Sequence, residues 1–368
     1  MQPPGDRPAA QLRRRALALA LALTSAAACH VTGPRSIKTG RDHYNVAIQQ
    51  TNNEQLLLNL VRLRYRDTPL FLEIASVTTN FTFDVGGGAT GTVNPGNAAA
   101  PGSVGLQGSI GYTEKPTVAY VPLQGQRFVT QLLSPMDPRV ILLMYHSGWA
   151  IDRIFKICVQ RLGPLQNATR ASGPTPSTPP RFDEFFQATA ALRDLWAAGA
   201  LDMGYLSDEH GGSLVLRIDE SAADTAATRR IHELLHLEDR PLTLVLSDTE
   251  PGGIAVVPRS VIAAMFYLSH GVEVPEGDRR AGKVTITRDP QGGEFSWSAL
   301  TGGLMRIKSR RGPPPQAYVA VPYRDRWFYI DDSDLDSKST FALLTQLLEL
   351  QSGEIKATGP VLTLPVGT

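Results

Sequence analysis

The stretch Leu70-Phe-Leu-Glu-Ile-Ala-Ser-Val-Thr-Thr-Asn-Phe-Thr-Phe-Asp-Val85 sets the architecture of this chain. Within it Ala75, Val77, Phe81, Phe83 and Val85 alternate with Ser76, Thr78, Asn80, Thr82 and Asp84, so an extended backbone would carry one apolar and one polar face. A second run answers it: Val104, Leu106, Ile110 and Tyr112 alternate with Ser103, Gly105, Gln107, Ser109 and Thr113. Gly, Asn, Pro and Ala residues between 86 and 102 supply turn chemistry. The two runs predict a long amphipathic β-hairpin over residues 70–121. Each approximates the ~9–11 residues of a membrane-crossing strand, with Thr79 and Gly108 as departures on the apolar side.

Upstream, Leu56, Leu57, Leu60 and Val61 fall on one side of a helix over 44–65 that Pro69 closes. Downstream, 128–133, 139–146 and 149–162 read as helices separated by Pro135, Pro138 and Gly148. The Pro- and Ser-rich run within 167–180 predicts a linker, and a domain boundary is expected there. Beyond it the spacing predicts helices at 182–198, 222–237, 259–270 and 337–351. Strands are expected at 201–206, 214–218, 242–246, 284–287, 304–308, 318–321 and 327–330. The class is therefore α+β: N-terminal helices with the long hairpin over 44–166, then a mixed α/β domain over 181–368.

The first 28 residues read as a secretory signal: Arg7 and Arg13 to Arg15 form a basic region, an apolar run covers 16–23, and small residues precede Cys29. Ala26, Ala27, Ala28 and Cys29 resemble the lipobox of bacterial lipoproteins, with Ala26 where a larger aliphatic is usual. That resemblance implies diacylglycerol on the Cys29 sulfur and an acyl chain such as palmitate on its amine, followed by a tether over 29–43. His30, rather than Asp, implies the outer membrane, with the body in the periplasm. Several acyl chains hold a protein where one binds only reversibly.

Two further segments carry a resemblance. Glu54-Gln-Leu-Leu-Leu-Asn-Leu-Val-Arg-Leu-Arg-Tyr-Arg-Asp-Thr-Pro69 and Arg326-Trp-Phe-Tyr-Ile-Asp-Asp-Ser-Asp-Leu-Asp-Ser-Lys-Ser-Thr-Phe341 resemble those of an uncharacterised family of proteobacterial lipoproteins. It implies the same address and no particular activity.

Thirty-six Lys and Arg against 35 Asp and Glu leave no basic field, which argues against a nucleic-acid partner. With Cys29 acylated, the second cysteine, Cys158, has no disulfide partner; its helical spacing with Ile151, Ile154 and Phe155 makes it core.

His232-Glu-Leu-Leu-His236 is a literal zincin pattern, in which two His one helical turn apart bind zinc and Glu233 would act on the attacking water. On a helical wheel His232, Glu233 and His236 point outward together, away from Ile231, Leu234 and Leu235. Arg229 falls between them, however, and Asp239 and Leu242 occupy the positions of the metzincin Gly and His. A third ligand could come only from Glu273, Glu276 or Glu294 downstream, so a solvated helix face is preferred to a metal site. Asp331, Asp332, Asp334 and Asp336 lack the Gly and Glu of a calcium loop and read as the cap of the last helix. Gly86 to Gly88 lack the Lys and helix of a phosphate loop.

Three functions remain. A non-catalytic periplasmic scaffold or adaptor, with envelope proteins as partners and no cofactor beyond the lipid, is preferred. The alternative is a homo-oligomeric pore, in architecture similar to the lipoprotein that exports curli subunits, because a lone hairpin leaves unpaired backbone in hydrocarbon and must close a ring. A zinc-dependent hydrolase is the third.

Overall fold

Apolar residues recur every third or fourth position from Leu56 to Leu63 and bury one face of helix α1, which runs over residues 44–64. The computed structural model describes residues 44–91, 104–208, 211–247, 252–352 and 362–365. The expected signal segment 1–28, Cys29, the expected tether to 43 and residues 92–103 lie outside them. Two units divide the chain between Gln55 and Leu56. The described part of the first is residues 44–55, where Gln50 Nε2 donates to Glu54 at 2.9 Å.

The second unit begins with the rest of α1. Asn59, fully buried, donates to the Leu70 carbonyl at 2.7 Å and accepts from its N–H at 3.0 Å, so one side chain acts as a strand edge and starts the hairpin. Strands β1 (Leu72–Gly91) and β2 (Val104–Pro122) then pair antiparallel. Helices α2 (Gln126–Leu133), α3 (Pro138–His146) and α4 (Ile151–Cys158) follow. Pro138 stands in the first turn of α3, where its missing N–H costs nothing, and Asp137 caps the helix by accepting from Arg139 N at 2.8 Å.

Next come β3 (Val159–Leu162), β4 (Leu165–Gln166) and α5 (Asp183–Ala197). A meander of β5 (Leu201–Asp208), β6 (Gly211–Ile218) and β7 (Thr243–Leu246) is interrupted by α6 (Ala226–Leu235). After β8 (Val256–Pro258) lie α7 (Val261–Ser269), α8 (Glu276–Arg280) and α9 (Ser298–Thr301). A fourth sheet, after those of β1–β2, β3–β4–β8 and β5–β6–β7, holds β9 (Lys308–Arg310), β10 (Ala317–Tyr323) and β11 (Arg326–Asp331). Helix α10 (Leu335–Ser352) and β12 (Leu362–Pro365) finish the chain, β12 pairing with Thr117–Tyr120 of β2. All strand pairs among the described residues are antiparallel, and the class is mixed α and β.

Several elements differ from expectation. Helix α4 stops at Cys158, and residues 159–162 leave it to pair with β8, a contact almost a hundred residues away that helical periodicity cannot register. Residues 284–287 form no strand, and at 304–308 only the end is extended, from Lys308.

The 167–180 segment is packed rather than free. Asn167, Ala168, Ala171 and Thr175 are buried, Thr175 Oγ1 accepts from Arg64 at 2.8 Å, and the Pro176 and Ser177 carbonyls accept from Thr287 Oγ1 at 2.6 Å and Arg288 N at 2.9 Å. A single core cluster takes in Leu56 and Leu347, and β3 and β8 pair from either side of the segment. The Pro residues fix extended backbone there without creating a boundary.

Arg259 holds this region together. It is fully buried and donates to the carbonyls of Lys156 at 2.8 Å, Ile157 at 3.3 Å, Val159 at 3.0 Å and Asn167, and its Nε donates to Ser172 at 2.9 Å. Of these, the Lys156 and Ile157 carbonyls lie in the last turn of α4, which leaves them without intrahelical partners. The guanidinium also lies 4.1 Å from the Tyr267 ring centroid. Cys158, beside it, is buried as expected, and burial pushes its thiol up to about 12, far from a nucleophile.

Candidate functional site

Three places merit attention: the hairpin, the His-Glu-Leu-Leu-His segment and a cavity beside α7. The register of the hairpin sets Phe83 opposite Tyr112, Val85 opposite Ile110, Ala89 opposite Leu106 and Gly91 opposite Val104. Directly opposed residues share a face, so both alternating apolar runs lie on one side of the ribbon. Thr82 opposite Thr113, Asp84 opposite Gly111 and Gly88 opposite Gln107 make up the other. Phe81 is opposite Glu114, which puts a carboxylate at the border of the apolar rows. The rows therefore cover 83–91 and 104–112, interrupted only where Gly87 is opposite Gly108, and run roughly 30 Å at about 3.3 Å per residue.

The pairing shifts between Ile74 and Ser76, leaving Ala75 as the extra residue of a bulge and breaking the alternation that the sequence reading carried through it. Above the bulge, buried Ala119 shares a face with Thr117, Thr78 and Asn80. The face buried at the ribbon's root thus continues outward as its polar face, and the apolar rows lie on the opposite side. Beyond Thr117, β1 and β2 pair only with each other among the described residues.

The His232 to His236 segment does not form the outward-facing constellation that the helical wheel suggested. Helix α6 ends at Leu235, and His236 caps it in the left-handed conformation at φ 57°. His232 is buried, with Nε2 2.9 Å from the Pro241 carbonyl. A carbonyl only accepts, so that nitrogen carries the proton and has no lone pair for a metal. His232, Glu233 and His236 do line one cavity of about 430 Å³, together with Arg229 and Arg240. Arg230 pairs with Glu233 at 3.1 Å. Two of the downstream carboxylates, Glu273 and Glu294, line a different cavity, and Glu276 pairs with Arg280 at 3.6 Å. No group of three or more His, Cys, Asp and Glu among the described residues could hold a metal ion. Asp334, as read from the sequence, caps α10 by accepting from Ser337 N at 3.1 Å and Ser337 Oγ at 2.8 Å.

The cavity beside α7 escaped the sequence reading. It measures about 580 Å³ and brings together Arg64 from α1, His270 at the end of α7 and Trp297 before α9. His270 and Trp297 stack, with ring centroids 3.9 Å apart and planes 16° from parallel. All three are buried, and Arg64 Nε, His270 Nδ1 and Trp297 Nε1 have no hydrogen-bond partner among the described residues. Burial lowers the Arg64 guanidinium to about 10, with Arg279 adding repulsion. Burial also drives His270 down to about 3, and Arg64 reinforces that shift, so the ring is neutral. At the mouth Arg279 pairs with Glu294 at 2.6 Å and Lys308 with Asp331 at 3.0 Å, whereas Arg306 is exposed and has no ion pair among the described residues. Arg64 lies more than two hundred positions before His270 and Trp297, and no local spacing announces the three together.

Compared with protein-family models, curated proteins and solved structures, the chain matches none.

Proposed function

We propose that the chain is a lipoprotein of the outer membrane, anchored through acylated Cys29 with its body in the periplasm, and that it works as a non-catalytic scaffold or adaptor. Its β1–β2 ribbon is the element that meets an envelope protein partner. The observation that carries this reading is the side on which the ribbon is apolar. A hairpin lying on its own body would carry its apolar rows on the face already buried at the root, and here those rows occupy the other face. A two-stranded ribbon is marginal alone in water, so such rows call for a covering surface.

A second reading is a homo-oligomeric pore, favoured by the length of the rows, 83–91 and 104–112, close to what a crossing strand needs, with Glu114 at their edge. No described helix is long and apolar enough to cross a membrane. The resemblance to proteobacterial lipoproteins supports the address common to both readings. The zinc-hydrolase reading loses support, since His236 stands outside the helix and His232 donates to a carbonyl.

Metabolic labelling with a fatty-acid analogue tests the anchor: Cys29→Ala should lose the label and leave the membrane fraction. Photocrosslinkers at position 83 test the ribbon. Adducts with one defined envelope protein support the scaffold, adducts with a second copy support the ring, and the absence of either defeats both.

A further inference from the structure

The Pro-rich segment that folds back onto the body frames a cleft of about 310 Å³. Gln166 ends β4, Thr169 and Arg170 open a 3-10 turn (Thr169–Ser172), and Pro179, Pro180 and Arg181 close the far side. The walls are tied together: Ala168 N donates to the Arg181 carbonyl at 2.7 Å, and Arg170 Nη1 donates to Thr178 Oγ1 at 3.2 Å. Arg161 stands directly opposite Gln166 in the β3–β4 pair and so shares its face. Arg161, Arg170 and Arg181 are all exposed, and none has an ion pair among the described residues. The nearest carboxylates along the chain, Asp183 and Glu184, belong to the first turn of α5 and do not line the cleft.

A concave site lined by one sign of charge focuses its field and draws in the opposite charge. Two larger cavities are balanced: Glu273 and Glu294 accompany the cations beside α7, and Glu233 and Glu238 those at the end of α6. This cleft holds cations and, among the described residues, no carboxylate, in a chain whose 36 basic and 35 acidic residues nearly cancel. Arg170 spends one donor on Thr178, which holds its fork in place, while the Arg181 guanidinium and the Gln166 amide are uncommitted among the described residues. Two planar forks suit an oxyanion that carries more than one charge and accepts several charge-assisted bonds at once, better than they suit a monocarboxylate. The cleft lies at the small end of the roughly 300–1,000 Å³ usual for ligand sites, enough for a phosphoryl group and too little for a bulky carrier. We propose that it binds a phosphate group, either the free ion or a phosphate esterified as in a lipid headgroup, with the carrier left outside. The inference stands independently of the lipid anchor and the ribbon.

Isothermal titration calorimetry on the full chain in about 0.15 M salt, which screens loose surface attraction, tests it with inorganic phosphate, glycerol 3-phosphate and acetate. Saturable one-to-one binding is expected for one or both phosphates. Inorganic phosphate alone assigns the free ion, glycerol 3-phosphate alone the headgroup ester, and both together the phosphoryl group whatever carries it. Acetate, with a single charge, should bind at least about ten-fold more weakly. Arg170→Ala and Arg181→Ala should each weaken phosphate binding by about ten-fold or more, while Arg311→Ala, which removes an exposed arginine just past β9, keeps wild-type affinity. All three residues are exposed, so the variants should keep the wild-type melting temperature and their affinities compare directly. No saturable heat from either phosphate at millimolar concentration overturns the proposal. So does acetate binding as tightly as phosphate, either cleft variant binding at wild-type affinity, or Arg311→Ala losing as much affinity as they do.

Discussion

Acid should unfold this protein partly through one imidazole. His270 is driven from 6.5 to about 3 by burial, with the Arg64 and Arg259 charges adding to the effect, while its hydrogen bond to the Ala171 carbonyl opposes it. The unfolded chain takes up this proton near 6.5 and the folded chain refuses it until about 3, so between those values the unfolded state binds more protons and stability falls as pH falls. The contribution is complete above about 6.5 and erodes below it. At pH 5 the gap of about 1.5 units from 6.5 amounts to about 2 kcal/mol, at 1.36 kcal/mol per unit. Because the ring is buried, little solvent screening reduces that figure. Denaturant unfolding at pH 8, 7, 6 and 5 reads the effect directly. His270→Gln, which retains an amide N–H for the Ala171 carbonyl, should lose about 2 kcal/mol less than wild type between pH 8 and 5. Parallel stability curves for the two proteins would refute the assignment of a neutral, proton-refusing ring.

Phe83→Arg, on the apolar rows, should abolish partner or ring crosslinking while Thr82→Arg on the polar face is tolerated; in a lipid-facing barrel the cost is about 2–4 kcal/mol per subunit, read as loss of detergent-resistant assembly and liposome conductance. Equal behaviour of the two variants would remove the two-faced ribbon from both functional readings. Arg259→Leu should lower unfolding free energy by about 2–5 kcal/mol, because the Ile157 and Asn167 carbonyls lose their donor inside the protein while those of Lys156 and Val159 keep Asn167 Nδ2, with Arg259→Lys intermediate. Asp334→Ala should cost about 1 kcal/mol through the lost cap of α10, and Asp334→Asn should restore most of it.

Features fixed by neighbours in sequence could be read before any coordinates. The alternation of 76–85 and 104–113 is a local consequence of the β pleat, and it forecast both strands, whereas the register that sets Phe83 opposite Tyr112 came only with the structure. The Asp137 and Asp334 caps are also local, a carboxylate meeting N–H groups two or three residues on. What escaped was set by distant chain. Residues 159–162 continue the apolar period of α4 and were read as helix, yet pairing with Val256–Pro258 is worth more to them. The Pro-rich segment at 167–180 has linker composition, and only the contacts of Thr175, Pro176 and Ser177 with residues 64, 287 and 288 turn it into packed structure. His236 reads as part of a helix, but α6 ends one residue earlier and the left-handed cap turns it away. Arg64, His270 and Trp297 could not be associated at all, since each alone is an ordinary residue.

Arg259 also imposes an order of assembly. The carbonyls it serves lie between residues 156 and 167, so their donor is about a hundred residues younger in synthesis than they are. Until residue 259 has emerged, the turn after α4 is held by Asn167 Nδ2 on the Lys156 and Val159 carbonyls and by the β3–β4 pair, while the Ile157 and Asn167 carbonyls wait without the donor Arg259 brings. A fragment ending near residue 180, where composition invites a cut, would carry that defect permanently.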